Sequence, residues 1–181
     1  MSRARTRGWL ALLIALALGY AALAHWLTTA PGRAALGGLG PYVPWFYFLQ
    51  HVAMFLALAA WFGASLRPGR EALVTRFALL VEGALSPAGL AYTRGATLAW
   101  AIFSAAIAAA SALLFFLAPL ALWSVFANLL TLPLVGAMFV AEFLVRVRVC
   151  PELSHGGVLR GVTRSVRAYW DSGARTTAGP R

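Results

Sequence analysis

Few side chains in this sequence can do acid–base, nucleophilic or metal chemistry, and those few lie inside or beside long apolar runs. Glu142 ends an uncharged stretch, with Arg146 four residues on. That spacing puts both on one helix face, about 6 Å of rise apart. The pair reads either as a structural ion pair anchoring a helix end or as a functional acid in a membrane helix. Gln50 and His51 come early in one apolar run and Asn128 early in another. If both runs start on the same side of a membrane, the three share a depth and can hydrogen-bond one another. Such groups act as packing contacts between helices, or His51 can serve a proton relay with His25 as the nearby titratable group. Pro133 removes a backbone hydrogen bond and predicts a bend, with a carbonyl near Leu129 needing another partner. That bend is either held by neighbouring helices or shapes a lipid-facing pocket. Cys150 and His155 suggest a thiol nucleophile, but no orienting third group or oxyanion device accompanies them.

Negative signals bound the chemistry further. With one cysteine the chain forms no internal disulfide and no cysteine-based metal cluster. There is no P-loop, HExxH, GxSxG or dinucleotide fingerprint. No catalytic residue can be assigned from the sequence, and nothing in it calls for a metal or a cofactor.

The elements that must position these residues are membrane helices. Of 181 residues, 61% are hydrophobic and 11% charged, whereas a soluble domain has about a quarter charged. Residues 9–27 carry no Asp, Glu, Lys or Arg and approach the ~20 residues that cross about 30 Å of hydrocarbon. A signal peptide is the rival reading, with Ala22-Leu23-Ala24 as its cleavage site, but apolar character continues through Trp26 and Leu27. Residues 28–42, rich in glycine and proline, predict a loop. A second span runs over about 43–66, with Trp45, Tyr47 and Trp61 near its ends. Ala53, Ala57, Ala60 and Ala64 form a small face on which another helix can pack. Residues 95–141 hold no formal charge, enough for two spans, about 95–117 and 120–146, broken at Ala118-Pro119. Small residues such as Ala105, Ala108 and Ser111 suit the third span to packing against protein.

Between spans two and three, the connector 67–94 carries Arg67, Arg70, Arg76 and Arg94. Leu73, Val74, Phe77, Leu80 and Val81 recur at helical spacing. Residues 70–82 therefore read as a short interfacial helix, ended by Gly83, with Ser86 and Pro87 capping the next. In the tail, 149–181, Val158, Leu159, Val162, Val166, Tyr169 and Trp170 oppose Arg160, Arg164 and Arg167. This reads as a second amphipathic helix on an anionic membrane surface.

The net charge of +10 comes entirely from arginine among the bases. Three arginines precede the first span, four lie in the connector, seven follow from Arg146 on, and only Arg33 lies in 28–42. This asymmetry places both termini and the connector in the cytoplasm. Arginines flanking apolar segments fit membrane orientation rather than nucleic acid. The fold expected is all-α: a polytopic membrane protein with four transmembrane helices over 1–148 and two interfacial amphipathic helices.

Two stretches carry a family resemblance: LRPGREALVTRFALLVEGALSPAGLAYTRGATLAWAIF (66–103) and WSVFANLLTLPLVGAMFVAEFLVR (123–146). They resemble small bacterial inner-membrane proteins encoded with fatty-acid-like genes for aryl polyene or xanthomonadin-type pigments, some of which carry the label ketosynthase. A condensing enzyme needs a reactive cysteine with histidine partners, so no catalytic residue carries over. The resemblance implies a membrane component accompanying acyl or polyene synthesis. The leading expectation is an accessory or scaffold protein that brings an acyl carrier protein or biosynthetic enzymes to the membrane. The alternatives are a small lipid or polyene transporter subunit, and a membrane enzyme acting on acyl chains through Glu142.

Overall fold

The structure is a computed structural model that describes residues 3–150, with side chains from Leu12 onward apart from residues 13, 14 and 17. The tail with His155, Arg160, Arg164 and Arg167 lies outside the described residues. Within them every regular element is helical and none is a strand. The helices are α1 (Arg3–Thr28), α2 (Ala30–Ala35), α3 (Val43–Ser65), α4 (Leu73–Glu82), α5 (Pro87–Leu117), α6 (Leu120–Val125) and α7 (Thr131–Val149). A 3-10 segment (Gly37–Tyr42) precedes α3, and a π turn (Phe126–Leu130) joins α6 to α7.

Three of these helical runs among the described residues are long and apolar enough to cross a membrane: Gly37–Ser65, Pro87–Leu117 and Leu120–Val149. The distribution of burial says the same. Thr28, Thr93, Thr97, Ser104, Ser111 and Ser124 are at most 2% exposed, while Leu16, Leu18, Leu80, Phe116 and Leu117 are 60–82% exposed. Water does not favour that arrangement, because each exposed leucine forgoes about 1.5–3 kcal/mol of burial. A hydrocarbon solvent does favour it: polar groups turn inward to find partners and leucines turn outward at no cost.

The helix ends follow their sequence signals. Ser86 caps α5, accepting from the Gly89 amide at 3.0 Å, and Pro87 opens the helix. Gly83 closes α4 with φ +77°, a conformation that a residue with a Cβ resists. Pro119 lies outside both α5 and α6 with extended backbone.

The segment 28–42 corrects the expectation of a loop. Thr29 caps α2, its hydroxyl accepting from the Gly32 amide at 3.4 Å, and Pro31 sits in the first turn. Two of the glycines here serve close approach, while Gly37 turns the chain with φ +54°. A Cβ on Gly32 would run into the Trp26 carbonyl, and one on Gly40 into that of Arg33.

The chain divides into two compact units, to both of which α3, α5 and α7 contribute residues. The first comprises Met1–Ala59 and Ile102–Met138. In it α1 packs on α6 and the π turn. Phe55, Ile107 and Ala108 form its small core, with Val52, Leu58, Phe103, Phe126 and Val135 around them. Phe48 stacks on Phe115 at 4.1 Å between ring centres, and Trp123 meets Phe115 edge-on at 5.1 Å. The indole of Trp123 donates to Ser111 at 3.0 Å. In α3 the buried face is therefore Phe48, His51 and Phe55, while Ala53, Ala57 and Ala60 of the alanine ridge face outward. In α5, by contrast, Ala108 and Ser111 are buried as expected, together with Ser104, while Ala105 faces outward.

The second unit comprises Ala60–Ala101 and Phe139–Arg181. Here Trp100 stacks near Phe62 at 6.0 Å and meets Phe139 at 4.6 Å.

Candidate functional site

The first polar cluster centres on Ser124, in α6, which is 1% exposed. His25 Nδ1 lies 2.8 Å from its hydroxyl, Thr28 Oγ1 2.5 Å, and Asn128 Nδ2 donates to it at 3.1 Å. Thr28 also reaches the His25 carbonyl at 2.7 Å. Counting protons favours one set of directions. If Thr28 donates to the carbonyl, Ser124 donates to Thr28, and His25 Nδ1 must then carry a proton and donate to Ser124. That arrangement makes four hydrogen bonds; reversing it makes three. A His25 proton on Nδ1 satisfies the most partners in this ring of neutral groups. Ser124 is buried and ties α1 to α6.

The second cluster surrounds the π turn. Thr131 Oγ1 donates to the Phe126 carbonyl at 2.9 Å, and the Thr131 amide reaches the same oxygen. With the hydroxyl proton so used, His51 Nε2 is the donor in its 3.1 Å contact with Thr131 Oγ1. His51 is buried beside the rings of Phe55 and Phe126, at 5.0 and 6.2 Å. Its Nδ1 is buried with no hydrogen-bond partner among the described residues. The helix irregularity expected at Pro133 thus takes the form of a wider turn over Phe126–Leu130. Proline has no N–H, and its ring crowds the carbonyl four residues back. An enlarged turn just before it relieves that crowding.

Gln50, His51 and Asn128 do not bond one another. Gln50 donates to the Tyr20 hydroxyl at 3.4 Å on an exposed surface, His51 pairs with Thr131, and Asn128 with Ser124. Nor do His25 and His51 share a partner, so the expected relay between them has no hydrogen-bonded path among the described residues.

The third cluster lies in the second unit. The Tyr92 hydroxyl donates to Glu142 Oε1 at 2.8 Å, with the Glu142 carbonyl 2.9 Å away. One proton serves both, and the carboxylate is the stronger acceptor. Arg146 Nε lies 3.8 Å from the same carboxylate oxygen, beyond hydrogen-bond range. Its guanidinium carbon sits 5.6 Å over the Phe143 ring. The i, i+4 pair expected from the sequence is present, but the short bond to Glu142 comes from Tyr92, which the sequence reading missed.

The fourth arrangement holds α4. The Leu73 amide donates to Ser65 Oγ at 3.0 Å and the Val74 amide to Thr97 Oγ1 at 3.2 Å. Thr75 and Thr93 hydroxyls meet at 2.7 Å. Thus α3 and α5 supply the N-terminal caps that α4 lacks in its own sequence. With Leu73 and Thr75 buried, α4 turns Phe77 (55%), Leu80 (82%) and Val81 (41%) outward. Arg76 on the same helix and Arg67 and Arg70 in the turn before it are also exposed.

Comparison of the chain with protein-family models, with curated proteins and with solved structures gives no match.

Proposed function

We propose that this chain is an inner-membrane accessory protein whose arginine-bearing connector forms a docking platform at the cytoplasmic surface. In this reading α1 supplies a fourth span, both termini are cytoplasmic, and the tail lies on the membrane as a second amphipathic helix. The observation that carries it is the fixing of α4: three hydrogen-bonded contacts to α3 and α5 hold its first turn. Arg76 is therefore displayed on a preorganised helix, and Arg70 on the short hydrogen-bonded turn just before it, which lowers the ordering cost of binding. Their partners are soluble and acidic, because arginine clusters recognise carboxylates and phosphates. The resemblance to proteins encoded with polyene pigment genes supports an acyl carrier protein or a condensing enzyme as that partner.

The test is affinity purification of the tagged chain from native membranes in mild detergent, with captured proteins identified by mass spectrometry. The proposal expects an acidic carrier protein or synthesis enzyme, lost from the Arg70→Ala/Arg76→Ala double variant. Recovery of the chain alone, or undiminished capture by the double variant, contradicts it.

A second reading, a transporter subunit for a lipid or polyene, draws on His51, whose buried Nδ1 has no partner among the described residues. It expects Asn128→Leu or His51→Phe to abolish product export while the protein stays inserted. An enzyme working through Glu142 is less well supported, because that carboxylate is held between Tyr92 and Arg146 at only 14% side-chain exposure.

A further inference from the structure

A tighter cluster of arginines lies around the turn that links α3 to α4. Arg94, from α5, donates from its guanidinium to the Leu66 carbonyl at 2.6 Å. Leu66 is the residue just past the end of α3, so Arg94 satisfies one of the carbonyls that a helix end leaves open. Arg67 follows directly, and the Arg70 amide bonds back to the Arg67 carbonyl at 3.1 Å, closing the turn at Pro68-Gly69. Gly69 has φ +76°, which keeps that turn tight. Two arginines of this turn and one from α5 thus have their backbones at one corner. The one acid within residues 66–76 is Glu71, also exposed, which leaves a positive surplus.

The position of this corner is as informative as its charge. Leu66 ends one apolar run, and Gly95, next to Arg94, begins another. Both runs belong to segments long enough to span a membrane. The contact between Arg94 and Leu66 therefore marks a level at which two spans leave the hydrocarbon. The phosphates of phospholipids lie at that level. The neighbouring α4 turns Phe77, Leu80 and Val81 outward. An interfacial helix places such an apolar face among the upper acyl chains, with its cations at the phosphates.

We infer that Arg67, Arg70 and Arg94 bind the phosphate of an anionic phospholipid whose acyl chains lie against Phe77, Leu80 and Val81. Arginine suits this task because its planar fork meets two phosphate oxygens at once. Arg94 retains donors for a phosphate beyond the one spent on Leu66. The inference rests on the platform reading only for the place of α4 at a membrane surface; it does not need a protein partner.

The test is native mass spectrometry of the full-length chain in detergent, titrated with phosphatidylglycerol and, in parallel, phosphatidylcholine. The wild type is expected to retain phosphatidylglycerol in preference. Arg67→Gln/Arg70→Gln/Arg94→Gln should weaken that retention about 100-fold, given about 1 kcal/mol per basic residue near an anionic surface. Arg33→Gln, far along the sequence, should leave it unchanged. The triple lysine variant keeps the charge but loses the fork, and should fall between; it also serves if the glutamine variant does not fold. Glycerol 3-phosphate in excess should not displace the lipid, since it lacks the acyl chains. Equal retention of the two lipids by the wild type, or unchanged phosphatidylglycerol retention by the glutamine and lysine variants, overturns the inference. The same variants separate it from the platform reading: lost partner capture with intact lipid retention sinks the lipid site alone, and the reverse leaves it standing.

Discussion

Ser124 accepts or donates to three side chains from its own segment and from α1. Removing its hydroxyl strands His25 and Asn128 together. Ser124→Ala should therefore lower unfolding stability by about 1–2 kcal/mol, above the ~0.6 kcal/mol typical of one interhelical hydrogen bond in a membrane protein. Ser111→Ala, which removes a single bond to Trp123, should sit near that smaller value. Unfolding in detergent titrated with dodecyl sulfate measures both, and equal losses would contradict the hub. At the π turn the same reasoning predicts non-additivity. Thr131→Val alone leaves His51 with neither nitrogen bonded and should cost about 1–3 kcal/mol. Adding His51→Phe removes the stranded group and should recover part of that loss, since a phenyl ring suits a site lined by Phe55 and Phe126. A double variant less stable than Thr131→Val would show that His51 stabilises by some other route. Of these residues the sequence displayed His51, Asn128 and Glu142, because large polar groups stand out in apolar runs. It hid Ser124, Thr131 and Tyr92. A hydroxyl in an apolar helix carries no spacing signal, and its partner depends on which helices pack together, a relation that periodicity does not encode.

At the scale of elements, α4 depends on its neighbours. Its own N-terminal residue, Ala72, offers no side-chain cap, and the hydroxyls of Ser65 and Thr97 take that place. Thr97→Val should lose about 1 kcal/mol, the usual worth of a cap, and the loss should be local. Hydrogen exchange of the Leu73 and Val74 amides should quicken while amides in the middle of α5 stay protected. Uniform quickening along both helices would mean that Thr97 holds α5 instead. Helix ends were the most legible feature of the sequence. Gly83, Ser86-Pro87 and Ala118-Pro119 each stop or start a helix through local backbone chemistry, and each does so here. Residues 28–42 misled because glycine and proline also serve close packing: Gly32 and Gly40 pass against carbonyls, and Pro31 occupies a helix's first turn. The alanine ridge of α3 misled similarly, since small size permits close packing without requiring it. The bulk and polarity of Phe48, His51 and Phe55 decided which face turned inward.

For the whole molecule, two asymmetries carry the account. Many leucines and several phenylalanines point outward while many threonines and serines are buried, as a bilayer favours and water does not. Fourteen of fifteen arginines lie in segments assigned to one side, and Arg33 alone lies in 28–42, where it donates to the Thr28 carbonyl. The first asymmetry fits a membrane protein; the second is the ground on which we propose its orientation. Sidedness decides whether Arg67, Arg70, Arg76 and Arg94 can meet cytoplasmic partners at all, so the docking proposal stands on it. The most direct measurement is cysteine accessibility in bacterial spheroplasts. Cys150→Ser supplies the background, and single cysteines replace Gly38, where a Cβ meets nothing within 4 Å, and Ala84, which is exposed. An impermeant maleimide should label Gly38→Cys in intact spheroplasts and Ala84→Cys only after lysis. Labelling of Ala84→Cys in intact spheroplasts, with Gly38→Cys protected, would place the connector outside the cell and contradict the account.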